Sequence, residues 1–176
     1  RGAGSAVCLV YFLAAQSGEV RRRSALLLTL FLQGGHGRAT EACFEALFFD
    51  VGQGDATLLR RGSHALLLDG GGSPGFDFGS RVLLPALTDR GIDRLDLVIV
   101  SHSDSDHCQG IVDLARRFPI DEIWLPARAA GSDCGEALSM SSGTALRWID
   151  GAYRSRVGPF ELRVVDSPGL SSRADG

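Results

Sequence analysis

Apolar residues follow a strand-like rhythm early in this chain and a mixed strand and helix rhythm later. Phe44 to Val51, Ala56 to Leu59 and Ala65 to Leu68 are short apolar runs parted by turn residues such as Gly62-Ser63, and they predict three strands. Leu95, Leu97, Val98, Ile99 and Val100 form a β-branched run capped by Ser101, which reads as a buried strand, and Ile120 to Leu125 reads as another. Helical spacing appears over Ser80 to Arg90, where Val82, Leu83, Ala86 and Leu87 share a face and Gly91 ends the run. Pro85 inside that segment predicts a kink or a late start. A second helix is expected over Gly110 to Phe118, stopped by Pro119, and a third over Cys134 to Trp148 with Leu138, Ala145 and Leu146 inward. Val157 to Val165 predicts a hairpin about Gly158-Pro159, and the run from Asp69 to Gly75 reads as a flexible loop. Trp124 and Trp148 are expected in the core. Three strands followed by alternating strand and helix predict an α/β domain, a sheet covered by helices.

The first forty residues differ from the rest. Ala6 to Ala15 and Ala25 to Leu32 are apolar, and Arg21-Arg22-Arg23 lies between them. Neither run reaches the roughly 20 residues of a membrane-spanning helix. Three readings stay open: parts of two membrane spans, a secretory signal over Arg21 to Ala39, or two short helices in a soluble core. The arginines favour a membrane-proximal or signal-like segment with the remaining chain facing outward. The division expected is therefore 1–40 as that segment and its Gly-rich linker, and 41–176 as the folded domain.

Length and charge narrow this little. At 176 residues the chain can bury one real core, and a net charge of −3 gives no global basic field for a nucleic-acid partner. Arginines far outnumber lysines, so a local basic face stays open. Cys8, Cys43, Cys108 and Cys134 show no CxxC spacing, which argues against a zinc ribbon or redox motif and leaves any pairing unassigned. Arg116-Arg117 is expected to face solvent, and Cys108 reads as a small buried hydrophobe.

His102-Ser103-Asp104-Ser105-Asp106-His107 carries the chemistry. Four metal-competent side chains lie within six residues, directly after a buried strand, and two of the four histidines of the chain are here. At the tip of an extended strand alternate side chains point alike, so His102, Asp104 and Asp106 are expected to converge, with His107 at the turn into a helix. Imidazole with carboxylate suits zinc, iron or manganese. The competing reading is a solvated Asp/Ser turn. The glycines of Asp50-Val51-Gly52-Gln53-Gly54-Asp55 are explained equally well by a plain turn and by a functional one. Gly70-Gly71-Gly72 lacks the pattern of a phosphate-binding loop.

The cluster, with Asp69 after Leu66-Leu67-Leu68, resembles the signature of the metallo-β-lactamase superfamily. Phe49-Asp50-Val51-Gly52-Gln53-Gly54-Asp55-Ala56, with Leu84-Pro85-Ala86-Leu87 and Gly91-Ile92-Asp93, resembles more narrowly the hydrolase-like domain of ComEC-type competence proteins, the channel proteins of DNA uptake. The resemblance implies an αββα sandwich, of which this chain corresponds to the first half, binding one or two divalent metals (zinc or manganese). It implies His102 and Asp104 at one metal, Asp106 and His107 at the other, and Asp106 positioning or deprotonating the attacking water. Asp69 would support the cluster by hydrogen bonds, with Asp50, Gln53 and Asp55 beside the metal edge.

The resemblance also implies further ligands from a second half of the fold. Asp166 is a weak acidic candidate, while His36 and His64 lie in the wrong places. Cys108-Gln109-Gly110 departs from the usual apolar residue and two glycines. The implied activity is hydrolysis of DNA phosphodiesters by activated water, in a domain on the extracytoplasmic side of a bacterial inner membrane. The expected partners are DNA, and the membrane through the N-terminal segment or the rest of a channel protein, with no nucleotide cofactor. The alternatives are a hydrolase of another ester on the same fold, or a non-catalytic domain.

Overall fold

The computed structural model describes residues 9–13, 44–51, 53–73, 75–141 and 143–165. Strands β2 (Phe44–Phe49), β3 (Thr57–Arg61) and β4 (His64–Leu68) form the expected antiparallel meander. The chain then crosses over three times, so β4, β5 (Leu97–Ile99), β6 (Glu122–Pro126) and β7 (Ala145–Ile149) run parallel. Strand β1 (Leu9–Leu13) pairs in parallel with β2, which makes a sheet of seven strands in sequential order among the described residues. The rest of the 1–40 segment, with its arginine run, lies outside the described residues, as does Asp166. Among those described, no helix is long and apolar enough to cross a membrane.

Alternation along the parallel strands gives the sheet two different faces. Leu67, Val98, Ile123 and Leu125 turn to the helical face, where they meet Leu83, Leu87, Ile111, Leu114 and Leu138. Their neighbours Leu66, Leu97 and Trp124 turn to the other face, beneath the hairpin β8 (Tyr153–Val157) and β9 (Phe160–Val164). The helical layer holds a π-helical turn (Gly79–Leu83) running into α1 (Leu84–Thr88), then α2 (Ser105–Ala115) and α3 (Asp133–Ser139). Pro85 does not delay the start, since helical backbone precedes it; the irregularity expected there takes the form of the π-helical stretch just before the proline. The proline is the second residue of α1, directly after the Leu84 N–H donates to Gly79 O in the wider π-helical turn.

Four expectations are corrected. The third helix ends at Ser139, and Ala145–Ile149 is a strand paired in parallel with β6. Leu138, Ala145 and Leu146 mimic a helical period, but a Ser-Ser-Gly break at 141–143 and the open edge of β6 decide the outcome. Trp148 is consequently exposed on that edge strand, whereas Trp124 is buried as expected. Helix α2 starts at Ser105, five residues early, because the Asp104 carbonyl already accepts from the His107 and Cys108 amides, both at 3.0 Å. Finally, Asp69 to Gly72 is buried, and no flexible loop begins there.

Candidate metal centre

The carboxyl ends of β4 and β5 lie side by side, and the site is built where they stop. One residue past β4, the Asp69 N–H still donates to Ile99 O at 2.8 Å, which extends the ladder. Its φ of 54° then turns the chain into the left-handed region, which few residues other than glycine occupy and which a short Asp tolerates. The buried carboxylate accepts three hydrogen bonds. Oδ1 takes the Ser101 N–H at 2.7 Å, while Oδ2 takes the Ser101 hydroxyl at 2.7 Å and His107 Nδ1 at 3.0 Å. Ser101 Oγ, having given its proton to Asp69, accepts from His102 Nδ1 at 2.8 Å.

This network sets the tautomers. A carboxylate can only accept, so His107 carries its proton on Nδ1, and the single proton of Ser101 leaves it accepting from His102. Both imidazoles therefore present an Nε2 lone pair, the arrangement by which carboxylates orient metal-binding histidines. Their ring centroids are 3.9 Å apart with planes at 48°. His102, Asp106 and His107 each offer a ligand atom within 4.8 Å of the others. Two ligands on one tetrahedral ion at about 2.0–2.1 Å stand about 3.4 Å apart. The contacts His102 Nε2–Asp104 Oδ2 at 3.5 Å and His107 Nε2–Asp106 Oδ2 at 3.9 Å are close to that separation. The donor set and its oriented lone pairs fit a divalent ion.

Convergence arises differently from the extended tip expected. The chain is extended only as far as Asp104, the N-cap of α2 at φ −67° and ψ 147°. Asp106 and His107 belong to the first helical turn, which swings them towards His102. Asp104 faces His102 but stays outside the three-residue focus, with 71% of its side chain exposed against 12% for His107. Asp50, Gln53 and Asp55 are exposed at the turn between β2 and β3.

That turn and the glycines after Asp69 grip the start of α2 through backbone alone. Gly70 N–H donates to His107 O at 2.8 Å, Gly110 N–H to Gly71 O at 2.9 Å, and Gly71 N–H to Asp55 O at 2.8 Å. The approach leaves no room for side chains at several points, Gly72 against Ser105 O among them. A Cβ on Gly54 would stand 1.9 Å from Asp106 O, and one on Gly110 would stand 2.0 Å from Gly70 O.

Two contributors escaped sequence reasoning. Ser101 read only as a strand cap, although its place directly before His102 was the available signal. Cys108, buried as expected, is disulfide-bonded to Cys134, which ties α2 to α3 one residue beyond His107. Spacing alone gave no sign of that pairing.

Fold and site resemble those of the metallo-β-lactamase class. The family model of the Metallo-beta-lactamase superfamily matches residues 49–132, a span that includes Asp69 and the whole 102–107 cluster. This fold family generally comprises hydrolases and typically binds divalent metals. More particularly, the chain is similar to three curated proteins, one of which is named a competence protein. The chain is 38% identical over 80 residues to Recombination protein 2 of Haemophilus influenzae, covering 45% of this chain and 10% of that protein. It is 31% identical over 98 residues to ComE operon protein 3 of Bacillus subtilis, covering 47% and 12% respectively. With Competence protein ComA of Neisseria gonorrhoeae, identity is 33% over 106 residues, covering 60% and 15%. The chain thus spans only a small part of each relative. The fold and kinship expected from the sequence are borne out.

Proposed function

We propose that this domain is a metal-dependent hydrolase that cleaves DNA phosphodiesters during DNA uptake. The observation that carries the reading is the grouping of His102, Asp106 and His107, whose ligand atoms lie within 4.8 Å of one another, with both Nδ1 atoms hydrogen-bonded. His102, Asp106 and His107 would hold the ion, with Asp104 completing the position beside His102. A zinc or manganese ion bound there supplies Lewis acidity, which acidifies water and offsets charge developing on a phosphoryl group.

The chain's own residues do the rest. Asp106, 31% exposed at its side chain, would orient the attacking water and accept its proton. Asp69 fixes the ring of His107 directly and that of His102 through Ser101, so neither must reorganise as charge develops. The names of the relatives support DNA as substrate. The Cys108–Cys134 bond supports an oxidising, extracytoplasmic setting. The test is cleavage of single-stranded DNA by manganese- or zinc-loaded protein beside its Asp106→Ala variant, which is expected to lose activity by at least about 100-fold. Undiminished cleavage by that variant would overturn the proposal, and cleavage of a small ester but not DNA would transfer it to another substrate.

A further inference from the structure

The β8–β9 hairpin carries an arrangement that the fold itself does not require. Its inner face, including Tyr153, Val157, Phe160 and Leu162, packs on Leu66, Leu97 and Trp124. Its outer face exposes Arg154, Arg156, Glu161 and Arg163. Register places Arg156 opposite Glu161, and the two form an ion pair. The same register places Arg154 opposite Arg163. Neither of these meets a carboxylate among the described residues. Directly opposed residues on one face stand about 4.5–5.5 Å apart, and like charges there repel. The pair leaves two solvent-exposed positive charges side by side without a counter-charge between them.

The pair lies one step from the open end of the hairpin. Its closed end lies over His64, because a Cβ on Gly158 would come 2.6 Å from His64 Nδ1, at the amino end of β4. Its open end, with Gly151, Val164 and Val165, reaches the carboxyl edge of the sheet. There it borders a cavity of about 260 Å³ shared with Ser101, the residue that holds His102. Ile99, Trp124, Ile149 and Val164 give that cavity apolar walls, and the exposed Arg128 stands among its lining residues. The indole N–H of Trp124, one of the lining residues, is buried without a hydrogen-bond partner among the described residues.

We propose that the open end of this hairpin and the cavity beside Ser101 seat a single strand of nucleic acid, with phosphates on Arg154 and Arg163 and one unpaired base between the apolar walls. Opposed cations fit a polyanion, and an apolar slot suits a base freed from pairing, whose faces are sequence-tolerant. A duplex hides its bases and offers nothing to the slot. The inference deepens the hydrolase reading and relies on it only for the fate of the strand, not for its binding.

The test uses the full chain and a fluorescein-labelled fifteen-residue oligothymidylate with EDTA present, so that binding is read without cleavage. Replacing both arginines (Arg154→Ala with Arg163→Ala) is expected to weaken binding about tenfold or more and to flatten the log K against log salt slope by about 1.4, near 0.7 for each lost phosphate contact. Arg154→Glu is expected to raise the melting temperature, by pairing across the strands with Arg163, while weakening the oligonucleotide. Opposite signs of those two effects are not produced by simple unfolding. Unchanged affinity and slope in the double variant would overturn the inference, as would equal affinity for a duplex of the same length. Loss of binding confined to phosphatidylglycerol vesicles would assign the arginines to a membrane surface and overturn it too. A strand bound in EDTA yet uncut with manganese would sink the hydrolase reading alone.

Discussion

At the scale of single residues, Asp69 does more for the site than any side chain within the focus. It accepts from Ser101 twice and from His107 once, so removing its second acceptor oxygen frees both imidazoles to turn. Asp69→Asn keeps the volume but places an amide where Oδ2 accepted two donors, or else where Oδ1 accepted one. Metal affinity is expected to fall about 10–100-fold, as when other carboxylates behind metal-bound histidines are lost. Calorimetric titration with zinc checks this, and an unaltered affinity would show that the ring orientations are fixed by something else. The identities of Asp69, His102, Asp106 and His107 were legible from residue type and position. How they converge was not, because the swing of Asp106 and His107 depends on a helix beginning at the Asp104 carbonyl, a backbone event with no side-chain signature.

At the scale of elements, the disulfide and the first turn of the π-helix each support a measurable expectation. Cys108 and Cys134 close a loop with a sequence separation of 26, for which chain entropy predicts about 3–4 kcal/mol of stabilisation. Cys108→Ala with Cys134→Ala should lower unfolding free energy by that order in urea, and an unshifted midpoint would mean the bond constrains little. Asp77 accepts the Ser80 amide at 2.9 Å and lies beside Arg117 at 3.1 Å. The Ser80 amide chiefly, then its side chain and Arg117, hold the Asp77 carboxyl below 3.8. A lowered folded value means this stabilisation is present above that pH and lost as pH falls through the folded value. The melting-temperature gap between the wild type and Asp77→Ala should therefore close in acid. A gap that persisted or widened there would reverse the sign. Elements were readable where period and neighbours agreed, as in β4 and β5. They were misread where pairing decided, as in β7, or where burial did, as in the glycines after Asp69, whose composition suggests looseness although they form a tight seam.

At the scale of the whole molecule, two faces of one sheet divide the labour. Helices cover one face and set the start of α2, while the other carries the hairpin and leaves its open end beside the candidate centre. An ion bound only by the folded chain should stabilise it by about 2.7 kcal/mol at a hundredfold excess over its dissociation constant. Adding zinc or manganese to chelator-treated protein should therefore raise the melting temperature, and Asp106→Ala should remove most of that rise. Identical melting curves with and without the ion would leave the focus without a guest. Strands β4, β5 and β6 and the place of the site were legible as soon as a buried strand was seen to end in the cluster. The hairpin's register and the arginines it opposes emerge only from three-dimensional pairing. Asp69, finally, spans three segments that are distant in sequence, since it follows β4 and grips both the residue after β5 and the first turn of α2. Sliding β4 by one position against β5 would point that carboxylate at the wrong side of the sheet and scatter both imidazoles. Binding of an ion at that focus would therefore require β4 and β5 to be aligned in the native register.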